Sequence, residues 1–264
     1  LAGFKDNEVM FCEPFMPHAW PTKYRMSTDY PIVGIKAVGS SLIITTKAYP
    51  YVAQGAHPSN MTLARMRENQ SCVSKRSIVG MGHSVMYASP DGLISAAGNI
   101  ATLATEKVYS RAQWQAMKPE TIHGYMHEGS YIGFYTVSGV QKGFIFNPKS
   151  LLLSDLTDVT TLTGGYANPE DDALYFIDNV SQIKQFNAGT DSTYEWQSKQ
   201  YKVGRPMNMA AARVEAESYS NITLYVYAES GLVHTQTVLN ERAFRLPSGY
   251  RSNQYEVKVV GSDI

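Results

Sequence analysis

Cysteine is scarce, with only Cys12 and Cys72 in 264 residues. Two thiols exclude a disulfide framework. Without a CxxC pair or a His-rich neighbourhood they also speak against zinc. Both read as small buried hydrophobes in a chain suited to a reducing compartment. Net charge is absent too: Lys and Arg total 23, and Asp and Glu total 23. A protein that wraps nucleic acid through phosphate contacts is usually visibly basic, so tight non-specific DNA binding is not expected. No apolar run approaches the length of about 18 residues that a membrane-spanning helix needs. No charged-then-apolar leader follows Leu1, and the chain enters a strand-like segment almost at once, which reads as part of something longer.

The residue patterns that carry chemistry are equally thin. Among the six histidines (His18, His57, His83, His123, His127 and His234), only His123 and His127 have a four-residue spacing. That spacing joins two metal ligands on a helix, but Ile122–Phe134 reads as strand, turn, strand, where the pair would not converge. Gly82-His83-Ser84 lacks the second glycine of a nucleophile elbow. Glu13, Glu128, Asp172 and Asp178 have no spacing that pairs carboxylates for glycoside cleavage. Gly164-Gly165 has no phosphate-loop context and reads as a hinge. Lys75-Arg76, with Arg65 and Arg67, reads as a solvated basic face. The sequons Asn60-Met61-Thr62 and Asn221-Ile222-Thr223 read as chance in the absence of a leader. No catalytic, cofactor-binding or metal-ligating residue is assigned, and no enzyme activity is expected.

What the chain does have is tyrosine: 18 Tyr beside 9 Phe and 3 Trp. Tyr, Val, Ile and Thr suit half-buried pleated surfaces. Five short apolar runs stand out, Val9–Cys12, Leu42–Thr45, Val85–Ala88, Tyr131–Tyr135 and Ala173–Ile177, starting 33 to 46 residues apart. Several follow a polar turn, such as Lys5-Asp6-Asn7-Glu8 or His127-Glu128-Gly129-Ser130. Several lead into another turn and strand, most clearly through Ser89-Pro90-Asp91-Gly92, where Pro presets φ and Gly accepts the closing geometry. Strand–turn–strand at a period near 40 residues predicts propeller-like repeats.

Helix is expected at Ser110–Met117, capped by Ser110 and stopped by Pro119, with Trp114 and Met117 on one core-facing side. A shorter helical turn is expected at Ser59–Met66. The pattern changes after Gly189: Thr190-Asp191-Ser192-Thr193 reads as a linker, followed by Tyr194–Val203, Ala212–Glu217, Ile222–Ala228, Leu232–Val238 and Tyr255–Val260. Glu229-Ser230-Gly231 reads as a hairpin turn between two of them. The expectation is an all-β chain, with residues 1–189 a propeller-like repeat domain and residues 190–264 a C-terminal β-sandwich. The Pro-rich aromatic stretch Cys12–Pro21 has two readings, an apolar plug over a sheet or a subunit contact.

The stretches CEPFMPHAWP, TDYPIVGI, AYPYVAQGAHPSNMT and QSCVSKRSIVGMGHSVMYASPDGLI, with YSRAQWQAMKPETIHGYMHEGSYIGFY, GFIFNP and RLPSGYRSNQYEVKVVG, together resemble tail nozzle or hub proteins of short-tailed bacteriophages, the tail tubular protein B-like family. The resemblance implies a β-propeller with added β domains, assembled as a homo-oligomeric ring around the channel through which DNA is ejected. It implies partners on the adaptor and portal side and among the fibres, DNA only as a transient passenger, and a place in the virion after assembly in the host cytoplasm. Family members are longer, so blades and platform segments would be missing here. No catalytic residues, cofactors or metals come with the resemblance. A rival reading is a glycan- or receptor-binding module, with Tyr194, Trp196, Tyr225, Tyr227 and Tyr250 as stacking surfaces, although such residues serve equally well as cross-strand pairs. A third, a propeller hydrolase, would need acids gathered at one face.

Overall fold

The computed structural model describes residues 1–156, 159, 161–189, 193–229 and 231–262. It is all-β, built of several small antiparallel sheets, and divides into two compact units, Leu1–Phe186 and Asn187–Ile264. The division falls at 186/187. Thr190, Asp191 and Ser192 of the expected linker lie outside the described residues.

The first unit is a series of up-and-down meanders taken in chain order. Sheet A holds β1 (Ala2–Lys5), β2 (Glu8–Phe11) and β3 (Arg25–Ser27). Sheet B holds β4 (Ile32–Val38), β5 (Ser41–Thr46), β6 (Tyr51–Gln54) and β7 (Thr62–Arg65). Sheet C holds β8 (Val79–Gly80), β9 (Val85–Ala88), β10 (Leu93–Ala97) and β11 (Ile100–Leu103). After the short helix α1 (Arg111–Ala116), sheet D holds β12 (His123–His127), β13 (Ser130–Val137), β14 (Val140–Asn147) and β15 (Leu152–Leu156). Sheet E holds β16 (Leu162–Ala167), β17 (Leu174–Asp178) and β18 (Ile183–Gln185). Each of the five apolar runs falls on the second strand of its sheet.

The reason is two-sided burial. Side chains alternate across a strand, and here both sets meet a neighbour. On sheet B, Leu42, Ile44, Tyr51 and Ala53 pack with Val9 and Phe11 of sheet A, whereas Ile43 and Val52 pack with Val85, Tyr87 and Ile94 of sheet C. On sheet C, Met86, Ala88 and Leu93 pack with Tyr131, Phe144 and Phe146 of sheet D. On sheet D, Ile132 and Phe134 pack with Leu174 and Phe176 of sheet E. The sheets therefore stack in sequence order A-B-C-D-E. A strand buried on both faces reads as a continuous apolar run. The hairpins close with turns that require positive φ: Glu128 and Gly129 (φ 48° and 72°) between β12 and β13, and Ser138 and Gly139 (φ 52° and 81°) between β13 and β14.

The segment Cys72–Ile78, although not a strand, is stitched to three sheets. Cys72 donates its N–H to the Thr46 carbonyl (2.9 Å) and Val73 donates to Ala88 (3.0 Å). The Ser74 hydroxyl donates to the Ile122 carbonyl at 2.6 Å. Ser77 Oγ accepts the Ala88 N–H at 2.9 Å, and the Ser77 carbonyl accepts the buried Tyr131 hydroxyl at 2.9 Å. Burial raises the Cys72 thiol to about 11, so it stays protonated.

Helix α1 forms as expected. Ser110 Oγ accepts the Gln113 N–H and Gln113 Oε1 accepts the Ser110 N–H, a reciprocal cap. Trp114 and Met117 enter the core between sheets C and D. The helical turn expected at Ser59–Met66 is a correction: only Pro58–Asn60 coils, as a 3₁₀ turn, and Thr62–Arg65 is strand β7. Its pairing with β6, from Gln54↔Thr62 to Tyr51↔Arg65, overrides local helix propensity. Gly164-Gly165 also differs from the expected hinge, because both residues lie inside β16. A Cβ at Gly165 would come within 2.7 Å of both Tyr125 and Phe176, so the glycine admits those rings.

The second unit is one five-stranded sheet of β19 (Tyr194–Gln197), β20 (Tyr201–Met207), β22 (Ile222–Ala228), β23 (Gly231–Val238) and β25 (Ser252–Gly261), with β25 central. A two-stranded ladder, β21 (Ala211–Ala212) and β24 (Phe244–Arg245), accompanies it. The inward residues Ile222, Leu224 and Val226 form the core with Leu246, Val214, Tyr219 and Phe244. The second layer expected of a sandwich is thus reduced to a short ladder and irregular chain. Ser230 of the expected Glu229-Ser230-Gly231 hairpin turn lies outside the described residues.

Candidate functional sites

Two places in the first unit combine unusual burial or exposure with defined chemistry. One is a buried polar node between sheets D and E. Strand β14 points Gln141 at the backbone of β16, where Gln141 Oε1 accepts the Leu162 N–H at 2.6 Å and its amide nitrogen donates to the Leu162 carbonyl at 3.2 Å. The side chain thereby reproduces a pair of ladder hydrogen bonds between two sheets that share none. The same amide nitrogen lies 2.9 Å from His123 Nε2, and His123 Nδ1 lies 3.1 Å from the Tyr125 hydroxyl. With an amide donor facing Nε2, the ring is neutral and carries its proton on Nδ1, donating to Tyr125. Arg76 completes the node by donating to the Thr163 carbonyl at 2.7 Å.

Burial, reinforced by the positive charge of Arg76, lowers the His123 pKa from 6.5 to about 4. The unfolded chain therefore binds a proton at this histidine that the folded chain refuses between those values. Stability is complete above pH 6.5, falls as pH drops through that window, and levels off near pH 4. At about 1.36 kcal/mol per pH unit the ceiling is roughly 3 kcal/mol. We expect about 2 kcal/mol in practice, because water screens part of the charge. Urea titrations at pH 7 and 4.5 should show this loss in the native protein and a smaller one in His123→Gln.

The other place is the loop after β2. It is rigidly folded: Glu13 N–H bonds the Ala19 carbonyl (2.8 Å), Met16 N–H bonds Glu13 (3.0 Å) and Ala19 N–H bonds Met16 (2.9 Å). The Trp20 indole N–H donates to the Pro17 carbonyl at 3.0 Å. Trp20 lies on the outer face of sheet A, 3.5 Å from where a Cβ of Gly3 would stand, which is the plug. Phe15 and Met16 are 103% and 52% exposed.

The remaining sequence candidates do not gather. His123 and His127 share β12 but part company: His123 meets Gln141, whereas His127 packs edge-on against Phe186 and lies 3.8 Å from Glu128. His57 caps the 3₁₀ turn and meets Tyr24 edge-on. His18 and His83 are exposed. Buried Asp178 caps its own hairpin, accepting the Val180 and Gln182 N–H groups, and pairs with Lys184 at 3.0 Å. Arg65 lies over Tyr49 and Lys75 over Phe4, so the basic residues face separate rings rather than one surface. Among the described residues, no group of three His, Cys, Asp or Glu side chains is placed to hold a metal ion. A shallow cleft of about 300 Å³ is lined by residues including His83, Ser95, Thr102, Glu106 and Lys107. Sequence reasoning missed Gln141, Ser74 and Ser77, since a single buried polar residue leaves no periodic signal.

No family model matches the chain, and no curated protein matches it. Among solved structures it is similar to the N-terminal domain of Nup159, at 9% identity and a TM-score of 0.35, covering 99% of this chain and 75% of that one. A likeness that low carries no argument about fold or function.

Proposed function

We propose that this chain is a structural component of a bacteriophage tail, a nozzle or hub protein that forms an oligomeric ring around the DNA ejection channel. The five meanders act as blades of a propeller-like body, and the work of the molecule is geometry and protein–protein contact. One observation carries the reading: sheets B, C and D are buried on both faces by their sequence neighbours. That is the packing of a repeated scaffold, in which each sheet shares its core with the next. The tail-like sequence stretches supply the biological setting. A balanced charge of 23 basic and 23 acidic residues suits a wall past which DNA slides without adhering.

Electron microscopy of the purified chain tests this. Annular projections with a central opening are expected; uniformly solid particles would overturn the reading. The glycan-binding alternative draws on the second unit, where Trp196 and Tyr201 are 52% and 47% exposed. Lys199 already lies over the Tyr201 ring at 5.5 Å, leaving less of it free for a sugar. A glycan array without hits would remove that alternative.

A further inference from the structure

Sheets D and E meet through an apolar core, Ile132 and Phe134 against Leu174 and Phe176. Among the described residues, the hydrogen bonds between these two sheets are those from Gln141 to Leu162. Their directions leave the amide no freedom. The Leu162 N–H needs Oε1 and the Leu162 carbonyl needs the amide nitrogen, so the nitrogen is the atom left facing His123 Nε2 at 2.9 Å. Turning the amide over would set donor against donor and acceptor against acceptor at the two Leu162 groups. The backbone of sheet E therefore dictates, through Gln141, that His123 Nε2 carries no proton.

A proton arriving at Nε2 breaks this arrangement. It meets the amide nitrogen with a second donor, and it charges the ring near the Arg76 guanidinium, which donates to the Thr163 carbonyl of the same strand β16. The other groups around the ring bring no compensating anion. On the same strand, the Tyr125 hydroxyl accepts from Nδ1, and His127 lies farther along against Phe186 with Glu128 at 3.8 Å. From β13, Phe134 stacks on the ring. In sheet E, the Gln182 N–H and Lys184 hold the Asp178 carboxyl below the usual range, so it stays ionised in mild acid and paired within its own hairpin. Lys75, next to Arg76, lies over Phe4 of sheet A.

We propose that the Gln141–His123 pair is an acid-operated latch: proton uptake at His123 Nε2 releases sheet E (β16–β18) from sheet D while sheets A to D stay folded. The latch lies within the first unit and is independent of the ring reading. Release of E leaves the cores that join A to B, B to C and C to D intact, since each is built without a residue of E. Local opening of one such unit below the cost of global unfolding is the ordinary behaviour of a stacked protein. Sheet E is also the last element before the second unit begins at Asn187. Its release therefore lengthens the chain that tethers that unit, and acid becomes the signal that does so.

Hydrogen exchange read strand by strand at pH 7 and 4.5, with intrinsic rates corrected for pH, tests this. Protection of β16–β18 should fall about tenfold or more relative to that of β4–β11, because the open state takes up a proton that the closed state refuses. His123→Gln should lose this selective fall, and His127→Gln should keep it. Nitrogen-15 shifts of the His123 ring in the native chain at pH 7 should place the proton on Nδ1, a reading that holds even where a variant fails to fold. Absence of the fall, or a fall shared equally by every sheet, overturns the latch. So does a selective fall that survives His123→Gln or disappears in His127→Gln, and so does a proton found on Nε2.

Discussion

Replacing Trp114 by alanine should cost the first unit about 3–5 kcal/mol, as expected for deleting a fully buried indole. The ring has no exposed surface and fills the space between sheets C and D against Phe144 and Tyr109. Its N–H donates to the Ser89 carbonyl at 2.8 Å, fixing the Ser89–Gly92 turn. Neighbouring sheets here meet through side chains, so an emptied slot cannot be closed by one strand moving. Trp114→Phe should retain most of the packing and lose about 1–3 kcal/mol, leaving the Ser89 carbonyl buried without its donor. Urea denaturation followed by circular dichroism measures both. The chain divides into two compact units, so a transition of residues 1–186 is expected to move and one of the second unit is not. Equal movement of both transitions would contradict a local role.

The second large effect belongs to Gln141. Gln141→Leu keeps the volume but strands the Leu162 N–H and carbonyl in a buried place, for an expected loss of about 2–3 kcal/mol. Because these bonds join sheet D to sheet E, hydrogen exchange should accelerate in β16–β18 before β12–β15. Gln141→Glu separates the two functions of the side chain. A carboxylate still accepts the Leu162 N–H, yet it sets a negative charge beside His123 instead of an amide donor. The His123 pKa should then rise, and the acid-side loss of stability between pH 6.5 and about 4 should shrink. An unchanged pH profile in Gln141→Glu would remove the amide from the account of the histidine.

These residues mark the boundary of what the sequence carries. The five second strands were legible because two-sided burial demands consecutive apolar residues, as in Leu42-Ile43-Ile44 and Val85-Met86-Tyr87-Ala88. The edge strands were not: β3 (Arg25–Ser27), β7 (Thr62–Arg65) and β18 (Ile183–Gln185) are mostly exposed and look like loop. In β7 that ambiguity let a helix be expected where pairing made a strand. In the second unit, the alternation in Ile222–Ala228 and Tyr255–Val259 marks β22 and the C-terminal part of β25. Tyr194–Val203 divides into β19 and β20 around Ser198, a break that no Gly or Pro announces. The node at Gln141 and the stitching serines were silent, since a buried amide or hydroxyl is recognisable only once its backbone partners are placed. In Cys12–Pro21 the sequence marked the stretch, but its backbone fold decided that Trp20 covers sheet A while Phe15 faces water.

The central claim, that this chain works by assembling copies of itself, is tested most directly by its mass in solution across a concentration series. The account predicts a fixed multiple of 29.3 kDa that persists on dilution, as a closed ring requires. A mass of 29.3 kDa at every concentration would contradict it.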